Sequence, residues 1–126
     1  MSTVVVLVDK PETAYRYHML FQPLGLDTKV VNAFAPLLSC IVDPSSVLVL
    51  VEDAFIENTS AHRLIDQIRS MPGKPSQIPI LRVWKRLVLT AGGCSQRSVE
   101  TITAPVTGHS LTEALKRLGL IKQRLD

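Results

Sequence analysis

The sequence predicts an α/β domain built on a doubly wound, five-stranded parallel sheet, and three observations lead there. Val47-Leu48-Val49-Leu50-Val51 is an unbroken apolar run, mostly β-branched, and too short for an ordinary helix. Being apolar on both faces, it reads as a central strand covered by helices above and below. Thr3-Val4-Val5-Val6-Leu7-Val8 is a second run of this kind. Finally, strand-like runs alternate with segments of helical periodicity along the whole chain. In open parallel sheets, ligands and chemistry collect at the carboxyl ends of the strands. Glu52 and Asp53 close the central run, so they mark the place to look.

The 126 residues form one domain, 1–126, large enough to bury a core without disulfide or metal staples. With 46% hydrophobic and 20% charged residues, the composition is globular rather than disordered. No apolar run approaches the roughly 18–20 residues of a membrane span. The amino terminus has no basic region followed by a secretory apolar segment, so neither membrane insertion nor export is expected. Cys40 and Cys94 form no metal or redox motif and are expected as free thiols in a reducing compartment. The net charge of +3 and pI near 9.1 are basic but diffuse. Arg63, Arg69, Lys74, Arg82, Lys85, Arg86 and Arg97 are scattered without interleaved aromatics, which argues against nucleic-acid binding by this domain.

Taken in order, the first strand covers Thr3 to Val8 and ends in Asp9-Lys10-Pro11, with Pro11 suited to a first helical turn. A helix from Glu12 to Leu24 follows, with Ala14, Tyr17, Leu20 and Phe21 inward and Pro23, Gly25 and Asp27 closing it. Lys29 to Val31 is a short strand. Ala33 to Val42 is a helix with Leu37, Leu38 and Ile41 inward, stopped by Asp43-Pro44-Ser45-Ser46. After the central strand, Ala54 to Thr59 shows no period and reads as a loop. Thr59 or Ser60 caps a helix running to Met71, with Leu64, Ile65 and Ile68 inward. Pro72-Gly73-Lys74-Pro75-Ser76 ends it.

Gln77 to Val83 is the fourth strand. Trp84 to Arg97 is ambiguous, since Leu87-Val88-Leu89 suits a strand or a short helix and Gly92-Gly93 opposes a long one. Val99 to Ala104 is the fifth strand, followed by Pro105. A final helix starts at His109 or Ser110 and runs through Leu111, Ala114, Leu115, Leu118 and Leu120. Ser110 and Glu113 make a capping-box pattern there.

This arrangement, over nearly the whole chain, resembles the response-regulator receiver domain of two-component signalling, a flavodoxin-like (βα)5 fold. The resemblance rests on Val5-Leu7-Val8-Asp9, Leu48 to Glu52, Leu64-Ile65-Ile68 through Gly73, Ile78-Pro79-Ile80-Leu81, and Ala104-Pro105 before Leu111 and Leu115. The Pro-Gly turn between a helix and an Ile-Pro strand is its most specific piece. The shortened region after Trp84, an eroded fourth helix, is similar to receivers attached to hybrid histidine kinases.

A working receiver, the resemblance implies, has an aspartate acceptor ending the third strand and acids after the first strand that help hold Mg²⁺. It also has a Ser or Thr ending the fourth strand and a Lys ending the fifth. Here the acceptor position falls on Glu52, whose extra methylene moves the nucleophilic oxygen by over about an ångström and spoils in-line geometry. Asp9 is retained, but Lys10 replaces the second acid, where an ammonium repels Mg²⁺ and is expected to pair with Glu52. The hydroxyl position falls on Trp84, or on Val83 in a slipped register, and the Lys position on Ala104. The residues thus point to a degenerate pseudo-receiver with no catalytic residues, no resident cofactor and no metal. Asp53 becomes the acceptor if the third strand ends one residue later, and Asp9, Glu52 and Asp53 would then be the Mg²⁺ ligands.

Trp84 is expected either to plug the vacated site or to anchor a partner. His18, His62 and His109 lack metal-ligand spacing. Cys94, Ser95 and Ser98 have no paired base in sequence, and Gly92-Gly93 lacks the strand–glycine–helix setting of a phosphate cradle. As the resemblance implies, the expected partners are a histidine kinase core, a phosphotransfer domain or a neighbouring receiver, with self-association as a further mode. Tyr15, His18 and Met19 on the first helix, with Leu111 and Leu115 on the last, are the expected docking residues. The expected setting is cytoplasmic, including as the cytoplasmic part of a membrane-bound kinase. Two alternatives remain open: a phosphorylatable receiver using Asp53 or Glu52, and a receiver-like input domain of a transcription regulator.

Overall fold

The computed structural model describes residues 2–10, 12, 14–52, 55–56, 59–84, 99–103 and 106–120. Five strands form one parallel sheet: β1 (Thr3–Leu7), β2 (Asp27–Val31), β3 (Ser46–Glu52), β6 (Ile80–Trp84) and β7 (Val99–Thr103). Their order across the sheet is β2-β1-β3-β6-β7, the doubly wound order of flavodoxin-like folds. The predicted fold class therefore holds. Between β3 and β6 lies a two-residue antiparallel ladder, β4 (Phe55–Ile56) with β5 (Thr59–Ser60), where the sequence suggested only a loop. Two residues per strand are too few to display any periodicity.

Strand alternation divides the core into two layers. Val4, Val6, Val8, Leu48, Leu50, Leu81 and Val83 face α1 (Ala14–Phe21) and α4 (Gly108–Arg117). Val5, Leu7, Val49, Val51 and Ile80 face α2 (Phe34–Ile41) and α3 (Ala61–Ser70). The central strand β3 is buried from Leu48 to Glu52, as its unbroken apolar run implied. Four α-helices occur among the described residues. The segment expected to hold an eroded helix falls at 85–98, outside the described residues.

Several boundaries differ from expectation for local reasons. The first helix is α-helical only from Ala14 to Phe21 and continues as a 3-10 turn over Gln22–Leu24. Pro23 has no N–H for an i to i−4 bond, and Gly25 closes the turn in the left-handed region at φ 75°. Strand β2 begins at Asp27 rather than Lys29, because backbone pairing with β1 from Thr3 onward does not require apolar side chains at an exposed edge. Strand β6 begins at Ile80 rather than Gln77, since Gln77 closes the 3-10 turn Lys74–Ser76 and Pro79 cannot donate to a ladder.

Ser60 caps α3 by accepting the Arg63 N–H, one of the two caps expected. Helix α4, by contrast, starts earlier than predicted. Thr107 is its N-cap and Ser110 its third residue, and the two exchange hydrogen bonds reciprocally. The capping box is therefore Thr107–Ser110 rather than Ser110–Glu113. Gly119, at φ 77°, ends the helix after Arg117, and Leu118 and Leu120 pack on the core from beyond it.

Candidate functional site

The carboxyl edge of the sheet carries Asp9 and Lys10 after the first strand and Glu52 at the end of the third. After β1, Val8 is still buried and donates its N–H to the Val31 carbonyl at 3.1 Å. The next two residues, Asp9 and Lys10, are both exposed. Strand β3 ends on Glu52, which stands opposite Val83 in the ladder, and β6 ends one residue later on Trp84. Asp53 and Ala104 lie outside the described residues.

Glu52 shares the face of Leu48 and Leu50, so its carboxylate points beneath α1. It is only 6% exposed. The hydroxyl of Tyr17, itself buried, donates to Glu52 Oε2 at 2.6 Å. That length is typical of a charge-assisted O–H···O⁻ bond. Burial, and then the bond to the Glu52 carboxylate and its charge, hold the Tyr17 phenol well above its ordinary pKa, while the neighbouring Arg16 opposes this in part. A proton on Tyr17 thus stabilises a carboxylate that the sheet has removed from water.

Two neighbours of Tyr17 make further ties. Arg16 Nη2 donates to the Val106 carbonyl at 2.9 Å, linking α1 to the entry of α4. His18 Nδ1 lies 2.9 Å from Thr28 Oγ1 on β2. Successive helical residues point about 100° apart, so three consecutive side chains reach three different elements.

On the opposite face, Arg82 is buried and its guanidinium lies 3.9 Å from the centroid of the Trp84 ring. Alternation along β6 places Trp84 with Arg82 and Ile80, away from the face that Glu52 uses. The ring therefore stacks on its own strand's arginine and does not fill the space beneath α1, where Tyr17 meets Glu52.

Mg²⁺ requires hard oxygen donors in near-octahedral array. Of the expected ligands Asp9, Glu52 and Asp53, the last lies outside the described residues. Glu52 is closed off and bonded to Tyr17, and Asp9 stands beside the ammonium-bearing Lys10. Among the described residues no three of His, Cys, Asp and Glu converge on one point.

The expected docking residues divide. Tyr15 (69% exposed) and Met19 (49% exposed) lie one helical turn apart on the outer face of α1. His18 is half-buried and engaged by Thr28. Leu111 and Leu115 are fully buried against the sheet and offer no surface, which corrects their expected docking role. They form the inward stripe of an amphipathic helix, and that stripe is what holds α4 in place.

Tyr17 was expected only as a core residue, so the sequence reading missed the donor that Glu52 uses. The signal was available in principle. A buried tyrosine needs a partner for its hydroxyl, and a buried glutamate needs a donor. Nothing in the spacing of residues 17 and 52 pairs them.

Comparison with known proteins found no matching family model and no matching curated protein. Solved structures do match. The chain is similar to a CheY-like response regulator receiver domain from Methylobacillus flagellatus, with a TM-score of 0.76 and 18% identity, covering 94% of this chain and 98% of that one. A sensor protein from Polaromonas sp. JS666 matches with a TM-score of 0.77 and 17% identity, covering 93% and 94%. A chain from the complex of histidine kinase ThkA with response regulator protein TrrA matches with a TM-score of 0.74 and 15% identity, covering 94% and 98%. At these identities the likeness establishes the receiver fold.

Proposed function

We propose that this domain is a pseudo-receiver: a non-catalytic protein–protein interaction module of two-component phosphorelay signalling, carried by a hybrid histidine kinase on the cytoplasmic side. The observation that carries this reading is the buried hydrogen bond from Tyr17 to Glu52 at the acceptor position. An acceptor carboxylate must meet an incoming phosphoryl group in line, with a cation offsetting the charge that develops. Glu52 is closed to solvent and its Oε2 already accepts a hydroxyl. In this reading the domain transfers no phosphoryl group, needs no Mg²⁺ and acts by docking. Its partner is a kinase core, a phosphotransfer domain or a neighbouring receiver. The similarity to a chain from a histidine kinase–response regulator complex supports a kinase partner. Tyr15 and Met19 supply the exposed apolar surface on α1.

The test is an amide NMR titration with Mg²⁺ and then beryllofluoride, a phosphoryl mimic. The expected result is no saturable shift at Asp9, Glu52 or Asp53. Saturation at millimolar Mg²⁺, followed by a wider change with beryllofluoride, would instead make the domain a phosphorylation switch using Asp53 or Glu52.

A further inference from the structure

We infer that the Tyr17–Glu52 bond is a built-in lock that couples the acceptor position to the placement of α1. The inference rests on the pseudo-receiver reading and adds what the occupied site does to the rest of the domain. Three consecutive residues tie α1 to three separate elements: Arg16 to the Val106 carbonyl, Tyr17 to the end of β3, and His18 to Thr28 on β2. Of these ties, only the middle one joins two side chains that are both buried.

The two flanking bonds are partly exposed and compete with water, so each alone is a weak restraint. The central bond lies in the apolar layer, where a hydrogen bond between a hydroxyl and a carboxylate competes little with water. It bridges 35 positions of sequence and ends on β3, the central strand of the sheet. The helix is short, running from Ala14 to Phe21, and its inward apolar residues are Ala14, Tyr17 and Phe21. Ala14 and Phe21 resist lifting, but neither provides a directional contact. Of that inward stripe, Tyr17 makes the directional bond, and with the flanking ties of Arg16 and His18 it sets the rotation of α1 and so the outward direction of Tyr15 and Met19. The face of α1 is thereby held in one orientation without any signal.

The test is amide hydrogen exchange on the full chain, without metal, for wild type, Tyr17→Phe, Glu52→Leu, the double variant and Arg16→Gln. Tyr17→Phe is expected to speed exchange at residues 16 to 20 by about tenfold or more, the size expected for losing a hydrogen bond to a charged group. The double variant removes both polar partners, so its exchange should exceed wild type by less than the product of the single effects. Arg16→Gln should act near Val106 without loosening residues 17 to 20.

Unchanged exchange in Tyr17→Phe, or single effects that multiply fully in the double variant, would overturn the lock. If Glu52→Leu fails to fold, Glu52→Gln keeps an acceptor for the hydroxyl and should leave α1 near wild-type exchange. Fast exchange there would also overturn the proposal. None of these measurements involves Mg²⁺ or a phosphoryl mimic, so the lock and the pseudo-receiver reading fail separately.

Discussion

The guanidinium of Arg82 lies over the ring of Trp84, 3.9 Å from its centroid, two residues apart on one strand. Arg82 is 7% exposed, so the cation sits at the margin of the apolar layer packed by α2 and α3. The ring's negative face compensates part of the water the arginine has lost. Trp84 is the only tryptophan in the chain, which makes the contact directly observable.

Replacing Trp84 with Ala is expected to destabilise the domain by about 1–2 kcal/mol, the range for a partly desolvated cation–π contact. Urea unfolding followed by circular dichroism measures this. In folded Arg82→Met, the Trp84 emission should change in intensity or wavelength. An unaltered spectrum would show that the stacking does not persist in solution.

Removal of the Tyr17 hydroxyl should cost about 1.5–3 kcal/mol, since the bond it makes is buried and accepted by a carboxylate. The expected readout for Tyr17→Phe is a lower urea midpoint with an unchanged slope. A loss within about 0.5 kcal/mol, as at ordinary surface positions, would mean that Glu52 is satisfied without Tyr17.

The same bond predicts alkaline sensitivity. Burial and the Glu52 bond raise the folded pKa of Tyr17 above its ordinary value of 10.0. Near and above pH 10 the unfolded chain releases this proton while the folded chain retains it. The contribution is therefore complete below about pH 10 and declines as pH rises toward the folded value. Unfolding midpoints measured from pH 8 upward should fall more steeply for wild type than for Tyr17→Phe.

Exposed and packing residues on the α1 and α4 side should separate cleanly. Leu111→Ala is expected to cost about 2–5 kcal/mol, because a fully buried leucine leaves a cavity. Tyr15→Ala, at an exposed position, should change stability by no more than about 0.5 kcal/mol. Chemical denaturation of the two variants decides this, and equal losses would contradict the assigned faces.

The reciprocal cap at the start of α4 is open to the same method. Thr107→Ala removes the acceptor for the Ser110 N–H and should cost about 1 kcal/mol. Glu113→Ala should have a smaller effect, because Glu113 lies outside the box and pairs with Lys116 at 3.5 Å. The reverse ranking would restore the Ser110–Glu113 box.

The sheet was legible in the sequence because burial on both faces leaves a mark that is local. Val47 to Val51 and Thr3 to Val8 read as buried strands because they are short and apolar on both faces, and the helices betrayed themselves by inward residues such as Leu64, Ile65 and Ile68. The carboxyl-edge position of Glu52 followed from the strand's end. Local signals also carried the Ser60 cap and the turn at Pro72-Gly73. They failed where neighbouring elements set the boundary, as when β1 extends β2 back to Asp27, or where two caps competed, as at Thr107 and Ser110. Amphipathic patterning marked Leu111 and Leu115 as periodic, but only packing against the sheet showed that their stripe faces inward. Partnership across the chain was beyond reach of the sequence. That Tyr17 meets Glu52 and Arg16 meets Val106 depends on the rotation of α1 against the sheet, which tertiary packing alone determines, whereas the Arg82–Trp84 stack lay within reach of strand alternation.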